Sequence, residues 1–584
     1  MSALGLNLLI FLPLAAAVVI WLLPQRLESR APRIALWVGI VSLLIALALW
    51  FQVDGQTGPG NLVGATQATW IAVGDRVPLL SSATDEITQQ HDVQISYHVG
   101  LDPISAPLVL LTAILVPLSV ACGFAAIRRR TREYYAWLLA LTAGMMGVFA
   151  ARDVLLFYIF FEFTLVPLYF LIGIWGGPER RYAANKFFLY TFVGSVITFA
   201  GILYLALRAA ALQGTSIISF DLAMLSALSG LSLAEQSLLF VAFFCGFAIK
   251  VPFFPLHTWL PLAHTEAPTA GSVLLAGVLL KLGTYGFLRF SLPMVPDGAL
   301  GWARVIGVLA VAGIIYGALC CWVQRDVKKL VAYSSVSHLG FCMLGMFSLV
   351  PLGLSGSVLY MINHGISTGA LFLVVGMIYE RYHTRDMHQL GGLARQMPVM
   401  AFFLVLFVLS SIGLPGLNGF VSEFTVLLAA FKSTTLGPWY GALGATGILL
   451  GAVYMLYMTG RVLFGPVKAP ANTPDLSVLP PDLNRREVAI LTPLAILVVL
   501  LGVYPRLITD TLDPALESQV MTRIYAAQAR EAPLVAEGAL ETGPASACTE
   551  PDGAPAAAGS LIAWTPVRPF AAPPCEPVIP AGGP

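Results

Sequence analysis

The chain has 584 residues, of which 58% are hydrophobic and only 11% charged, with a formal net charge of +1. Ordinary soluble domains carry about 25% charged residues, so the composition excludes a soluble enzyme with a large core and indicates a polytopic membrane protein. No basic stretch is built for nucleic acid, and the seven cysteines have no metal-ligand spacing.

Apolar runs set against turn and charge signals predict about fourteen spans. They lie near 4–23, 34–53, 101–126, 135–151, 154–176, 187–212, 236–262, 270–290, 303–322, 329–350, 356–378, 398–432, 438–464 and 488–505. The opening run lacks a basic n-region and a small-residue cleavage site, so it reads as a first span, not a leader. The spans are expected to be helices, because lipid satisfies no free backbone group. The polar stretch 54–98 reads as a long loop. Residues 506–530 read as an amphipathic continuation, and the Pro/Ala/Gly-rich remainder as a disordered tail holding Cys548 and Cys575.

Loops after odd-numbered spans are basic, as at Arg128, Arg129, Arg130 and Arg132, or Arg325, Lys328 and Lys329. Loops after even-numbered spans hold only Arg76, Arg152 and Lys432. The positive-inside rule therefore puts the odd loops in the cytoplasm.

Two spans are interrupted. The seventh carries Pro252, Pro255 and Pro261; the twelfth carries Gly413, Pro415, Gly416 and Gly419. A single proline kink usually only shapes packing, but broken helices in corresponding positions mark the pathway in membrane carriers. Each break has a charge beside it, Lys250 before the first and Glu423 after the second. Glu162 and Lys250 lie in the fifth and seventh spans, His338 and Glu423 in the tenth and twelfth. Five spans separate the two sets, which predicts an inverted repeat over 135–290 and 303–464. The remaining blocks are 1–134, 465–505 and 506–584.

Glu162 sits in a run of about twenty apolar residues, where an ionised carboxylate costs a few kcal/mol. A static pair with Lys250 is one reading, although such pairs often add nothing to stability. The other is a switchable pair: at about 4 Å and an effective dielectric of about 20, the attraction is about 4 kcal/mol. Lys281 lies mid-span, too deep to snorkel to an interface, and reads as a central proton carrier. His338 and His364 read as relays, because neutral imidazole accepts on one nitrogen and donates from the other. His257 and His264 read mainly as structural. Glu423 reads as the terminal carrier. These histidines lie on different spans with no close ligand spacing, so no metal site is expected. No nucleotide, flavin or haem motif is visible either.

The strings FYIFFEFTLVPLYFLIGIWGG, IKVPFFPLHTWLPLAHTEAPTAGSVLLAGVLLKLGTYGFLRF, KKLVAYSSVSHLGF and INHGISTGALFLVVGMIYER resemble the antiporter-like membrane subunits of respiratory complex I, the proton-pumping NADH:quinone oxidoreductase. The resemblance runs from about 90 to 505. LPGLNGFVSEF is similar to the M-type branch; the L and N types and Mrp sodium/proton antiporter subunits carry a lysine where Glu423 stands. The resemblance implies an all-α polytopic fold and a proton-translocating role. It makes Glu162 the essential glutamate beside the pump lysine Lys250, puts Lys281, His338 and His364 on a central hydrophilic axis, and makes Glu423 the distal glutamate. It also implies L- and N-type neighbours in a lipid bilayer, with FMN, iron–sulfur clusters and quinone on partner subunits and no cofactor on this chain. Leu262 departs from the family, which usually has Asp there. The rivals are an Mrp-type antiporter subunit and a membrane subunit of a proton-pumping hydrogenase. The composition points to a bacterial cytoplasmic membrane, with the mitochondrial inner membrane as the alternative.

Overall fold

A computed structural model describes residues 2–54, 61–74, 92–469 and 479–530. Cys548 and Cys575 lie outside the described residues. Among the latter, eleven helices are long and apolar enough to cross a membrane. Three further expected spans are also helical but shorter or more polar. They are Thr131–Ala150, Val327–Met346, and the pair Pro398–Ser411 and Asn418–Lys432.

Local chemistry sets the helix ends. Proline stands in the first turn of Pro296–Trp322, Pro351–Tyr382, Pro398–Ser411 and Pro438–Leu463, where a missing N–H costs nothing. Elsewhere a side chain satisfies the first free donors. Asp153 accepts from the amides of Leu155 and Leu156, and Asp326 from those of Lys328 and Lys329. Ser232 with Glu235, and Asn484 with Glu487, form reciprocal capping boxes.

The stretch 54–98, expected as a loop, contains strand structure. Strand β1 (Val63–Gly74) pairs antiparallel with β2 (Asp92–Leu101), and β2 pairs parallel with the short β3 (Ile217–Ser219). Both long strands are rich in β-branched and aromatic residues, which suit a half-buried pleated surface. The hairpin is tied to the first helix, Ser2–Leu22: Tyr97 donates to Asn7 Oδ1 at 2.6 Å, and Asn7 Nδ2 donates to Thr66 Oγ1 at 2.8 Å. The sheet marks one face of the molecule, called here the sheet face.

Four helices are irregular where charged groups cluster. Leu233–Lys250 stops at Lys250 and helix resumes at Leu260–Glu266. Pro398–Ser411 stops before Asn418–Lys432, with Gly413 at φ +74 and Gly416 at φ +91 between them. Two further irregularities were not legible beforehand. Val154–Phe163 and Leu165–Trp175 are separated at Thr164, directly after Glu162. The segment 269–294 contains two wide π turns, Leu275–Leu279 and Phe287–Ser291.

The segment 506–530 is helical. It buries Ile508, Leu512, Leu516, Val520 and Ile524 along one side, the apolar stripe its amphipathic pattern requires. On the opposite face, Arg381 donates to both oxygens of Glu487 at 3.0 and 2.6 Å, tying Pro351–Tyr382 to Arg485–Val503. Glu487 is only 3% exposed. Replacing Glu487 by Ala removes the carboxylate but leaves Arg381 the carbonyls of Met377, Pro481 and Asp482, a loss of about 1–3 kcal/mol. Thermal unfolding of the purified assembly should show a lowered midpoint for Glu487→Ala; an unchanged midpoint would mean that this pair does not hold the two helices.

Candidate functional site

Lys250 ends its half-helix, where the unpaired carbonyls favour a cation. Its ammonium does not pair directly with Glu162. It donates to Phe161 O at 2.9 Å and Thr164 Oγ1 at 3.2 Å, and lies 3.6 Å from the Phe161 ring centroid. The interruption at Thr164 makes this possible by opening the backbone next to Glu162. Glu162 is partly buried, and its Oε1 has no hydrogen-bond partner. Ser195 and Lys250 are its polar neighbours. The expected pair is therefore an adjacent, disengaged one, with Lys250 on the backbone of the residue preceding Glu162.

Lys281 is 0% exposed. Its ammonium donates to Ala276 O at 2.5 Å and lies 2.7 Å from His364 Nδ1. The π turn Leu275–Leu279 directly precedes it, and such wide turns displace carbonyls from the regular ladder. His364 and His338 have ring centroids 5.6 Å apart. Between His338, His364, Asn363, Ser411 and Glu423 is a cavity of about 10 Å³, near the room that one water centre needs.

From His338 the contacts continue. Its Nδ1 is 2.5 Å from Tyr360 Oη, and its Nε2 is 3.2 Å from Ser411 Oγ. Tyr360 donates to Glu423 Oε1 at 2.9 Å. Glu423 sits just inside the resumed helix, 4% exposed, 3.9 Å from His338 Nδ1. The break is held by amides: Asn363 Nδ2 donates to Asn418 O at 2.7 Å, and Ser410 donates to Asn418 Oδ1 at 2.6 Å.

The six residues singled out in the sequence thus fall into two groups. Glu162 and Lys250 form one. Lys281, His364, His338 and Glu423 form the other, joined by Tyr360. Among the described residues no hydrogen bond links Lys250 to Lys281; the Phe161 ring lies against Lys250, and Phe157, Phe247 and Phe290 pack around that ring cluster.

Sequence reasoning missed the role of Tyr360 as the link to Glu423. Its signal was its position one turn before His364, on the same helix face. His264, read as structural, has neither ring nitrogen partnered, and its charged neighbours are Lys328 and Lys281. Lys328 donates to Ala267 O at 2.5 Å and lines a cavity of about 680 Å³ with Glu266, Glu380, His383 and Arg385, on the face opposite the sheet. His257 stands apart, stacked on Phe254 and met edge-on by Tyr316. Among the described residues no group of three or more His, Cys, Asp or Glu is arranged to hold a metal.

Residues 151–451 match the transmembrane family model described as NADH:quinone oxidoreductase/Mrp antiporter. Subunit M of NADH-quinone oxidoreductase from Rhodobacter capsulatus is 42% identical, over 87% of this chain and 95% of its own. NADH-ubiquinone oxidoreductase chain 4 of Marchantia polymorpha is 38% identical, over 88% and 97%. A chain of respiratory complex I from Thermus thermophilus superposes with a TM-score of 0.74 at 31% identity, covering 89% of this chain and 99% of that one. A chain of the Mrp complex from Dietzia, at 22% identity, 91% and 99% coverage and a TM-score of 0.73, shares the fold.

The contact between Gly413 and Glu423 is a sensitive point. A Cβ on Gly413 would lie 2.3 Å from Glu423 Oε2, and φ +74 already disfavours a side chain. Gly413→Ala should displace the carboxylate from Tyr360 and cost about 1–3 kcal/mol. A shifted carboxyl band in difference infrared spectra, together with a lowered unfolding midpoint, would check this; an unmoved band would show that the break tolerates a methyl group.

Proposed function

The chain belongs to the NADH:quinone oxidoreductase/Mrp antiporter family of transmembrane proteins, and from that premise we propose that it is the M-type proton-translocating membrane subunit of NADH:quinone oxidoreductase. The observation that carries this reading is the row of contacts from Lys281 through His364, His338 and Tyr360 to Glu423.

The steps from Lys281 to Glu423 have named donors and acceptors. The Lys281 ammonium gives a proton to His364 Nδ1 across 2.7 Å. A water in the 10 Å³ cavity takes the proton on His364 Nε2 and gives one to His338 Nε2. His338 Nδ1 then passes a proton to the Tyr360 oxygen as Tyr360 releases its own to Glu423, so the tyrosine is left neutral. Supply to Lys281 is assigned to His264, whose charged neighbours are Lys328 at the cytoplasm-facing cavity and Lys281, although it is hydrogen-bonded to neither. Glu162 and Lys250 act as the control element. When Lys250 moves from Phe161 O to Glu162, its charge is neutralised and the field on the rest of the chain changes.

The same reading extends to architecture. The membrane passage is fourteen spans, with two five-span units over 135–290 and 303–464 inverted relative to one another. The basic loops are cytoplasmic, which places the sheet face outside the bacterial cytoplasmic membrane. NADH oxidation, FMN, iron–sulfur clusters and quinone belong to partner subunits, and L- and N-type subunits flank this one. Moving each charge against 100 mV costs about 2.3 kcal/mol, which the redox subunits must supply. Glu423, where sodium/proton antiporter relatives have lysine, favours this assignment over a stand-alone antiporter subunit.

Glu162→Gln and Glu423→Gln in the assembled complex test the reading, with NADH oxidation and proton uptake followed together in sealed vesicles. Positioned proton-transfer groups contribute about 10²–10⁴-fold in rate, so coupled proton uptake should fall at least tenfold in Glu423→Gln. Loss of both activities would signify tight coupling, and loss of uptake alone a slipping pump. Unchanged uptake in both variants would overturn the mechanism.

A further inference from the structure

At the sheet face, away from the proton chain, lies a second cavity of about 250 Å³. Three arginines dominate its chemistry. Arg152 is 3% exposed and Arg289 5%. Both are held by one carboxylate, Asp102, at 3.0 Å from Arg152 and 2.8 Å from Arg289. Arg152 spends its other donors on Gly100 O and Ser105 Oγ. Arg289 reaches Gln519 Oε1 at 2.6 Å with the nitrogen that also meets Asp102. The third guanidinium, Arg523, comes from the helical segment 506–530 and lines the same space.

The carboxylates near them are otherwise engaged. His98 Nδ1 lies 3.0 Å from Asp221 Oδ2. Burial raises the Asp221 carboxyl, but the His98 contact and the amides of Met224 and Ala223 outweigh it and hold Asp221 below its ordinary range. Asp221 is therefore ionised and already engaged. The lining itself holds three guanidiniums, Arg152, Arg289 and Arg523, and one carboxylate, Asp221; Asp102 stands behind it, and so does Asp153, 1% exposed and bonded to the amides of Leu155 and Leu156.

Two buried donors on cavity-lining residues also lack an acceptor, Arg289 Nε and Gln519 Nε2. A buried donor of this kind is rarely left empty. A lining with three guanidiniums to one carboxylate, free guanidinium and amide donors, and a cavity of this size match one ligand chemistry, a phosphate-type oxyanion, for which arginine is the preferred partner. We propose that this cavity binds a phosphate group between Arg289, Gln519 and Arg523. The group comes either from free phosphate or from the headgroup of an anionic lipid; the apolar flank of Leu62, Leu222 and Val520 suits the glycerol side of the latter. Binding would pin the segment 506–530 to the helix that carries Lys281, eight residues before Arg289, or about 12 Å along the axis.

The intact complex, purified in detergent and depleted of lipid, provides the test. Inorganic phosphate is titrated at constant ionic strength against chloride, and a second sample is placed in phosphatidylcholine nanodiscs with or without phosphatidylglycerol. The thermal unfolding midpoint is followed for the parent, Arg523→Gln and Arg523→Lys. The parent midpoint should rise with one of the two ligands. A response to phosphate assigns the free ion, and a response to phosphatidylglycerol alone assigns the headgroup. The apparent affinity should weaken roughly tenfold in Arg523→Gln, as expected for losing a charge-assisted hydrogen bond, with partial recovery in Arg523→Lys. A parent midpoint that neither ligand moves, or equal responses in parent and Arg523→Lys with Arg523→Gln unassembled or equally responsive, would overturn the proposal.

Discussion

An ionisable group inside a membrane must find its own partners, because lipid offers none, and the irregular parts of this structure follow from that requirement. Lys250 is stabilised by a carbonyl and a hydroxyl at a helix interruption. Lys281 is stabilised by a carbonyl beside a π turn and by a histidine. Glu423 is stabilised by a tyrosine and sits against a glycine whose missing side chain makes room for it. In each case the helix gives up regular hydrogen bonding at the place where a charge needs it. The breaks are therefore part of the site, because they supply its solvation.

The same requirement explains why the polar residues form two groups. Continuous hydrogen bonding from Glu162 to Glu423 would be a permanent proton wire, and a wire leaks down the gradient it is meant to build. Instead, phenylalanines pack beside Lys250, and no hydrogen bond joins it to Lys281 among the described residues. In the proposed mechanism, communication across that gap is left to the field of a buried charge, which acts at a distance in a medium of low dielectric. A short displacement of one ammonium, from Phe161 O to the neighbouring carboxylate, changes that field without opening a path.

Much of this was legible in the sequence because the physics is local. Apolar runs of sufficient length give spans, Pro and Gly clusters give the breaks near 252 and 415, and a lone charge in an apolar run announces itself, as Glu162 and Lys281 do. What was not legible depends on contacts between distant segments. Thr164 interrupts its helix three residues before Pro167, which leaves the Phe163 carbonyl without its helical donor, but a single proline in a span does not announce a break. Tyr360 stands one turn before His364 with nothing local to tie it to Glu423, and only the packing of Asn418–Lys432 against its helix puts Glu423 within 2.9 Å. The strands β1 and β2 were read as loop because their surroundings are polar; they gain their support from Asn7, some sixty and ninety residues away in sequence. The amphipathic pattern of 506–530 was readable, but not the buried arginines it covers.

The central claim is that protons reach Glu423 through the Tyr360 hydroxyl. Tyr360→Phe removes only that oxygen and keeps the ring that stacks on Phe341. The most direct measurement is the number of protons translocated per electron pair by the assembled complex in sealed vesicles, for parent and variant side by side. The account predicts a lower ratio or a matching loss of NADH oxidation in Tyr360→Phe. An unchanged ratio at an unchanged turnover rate would contradict it.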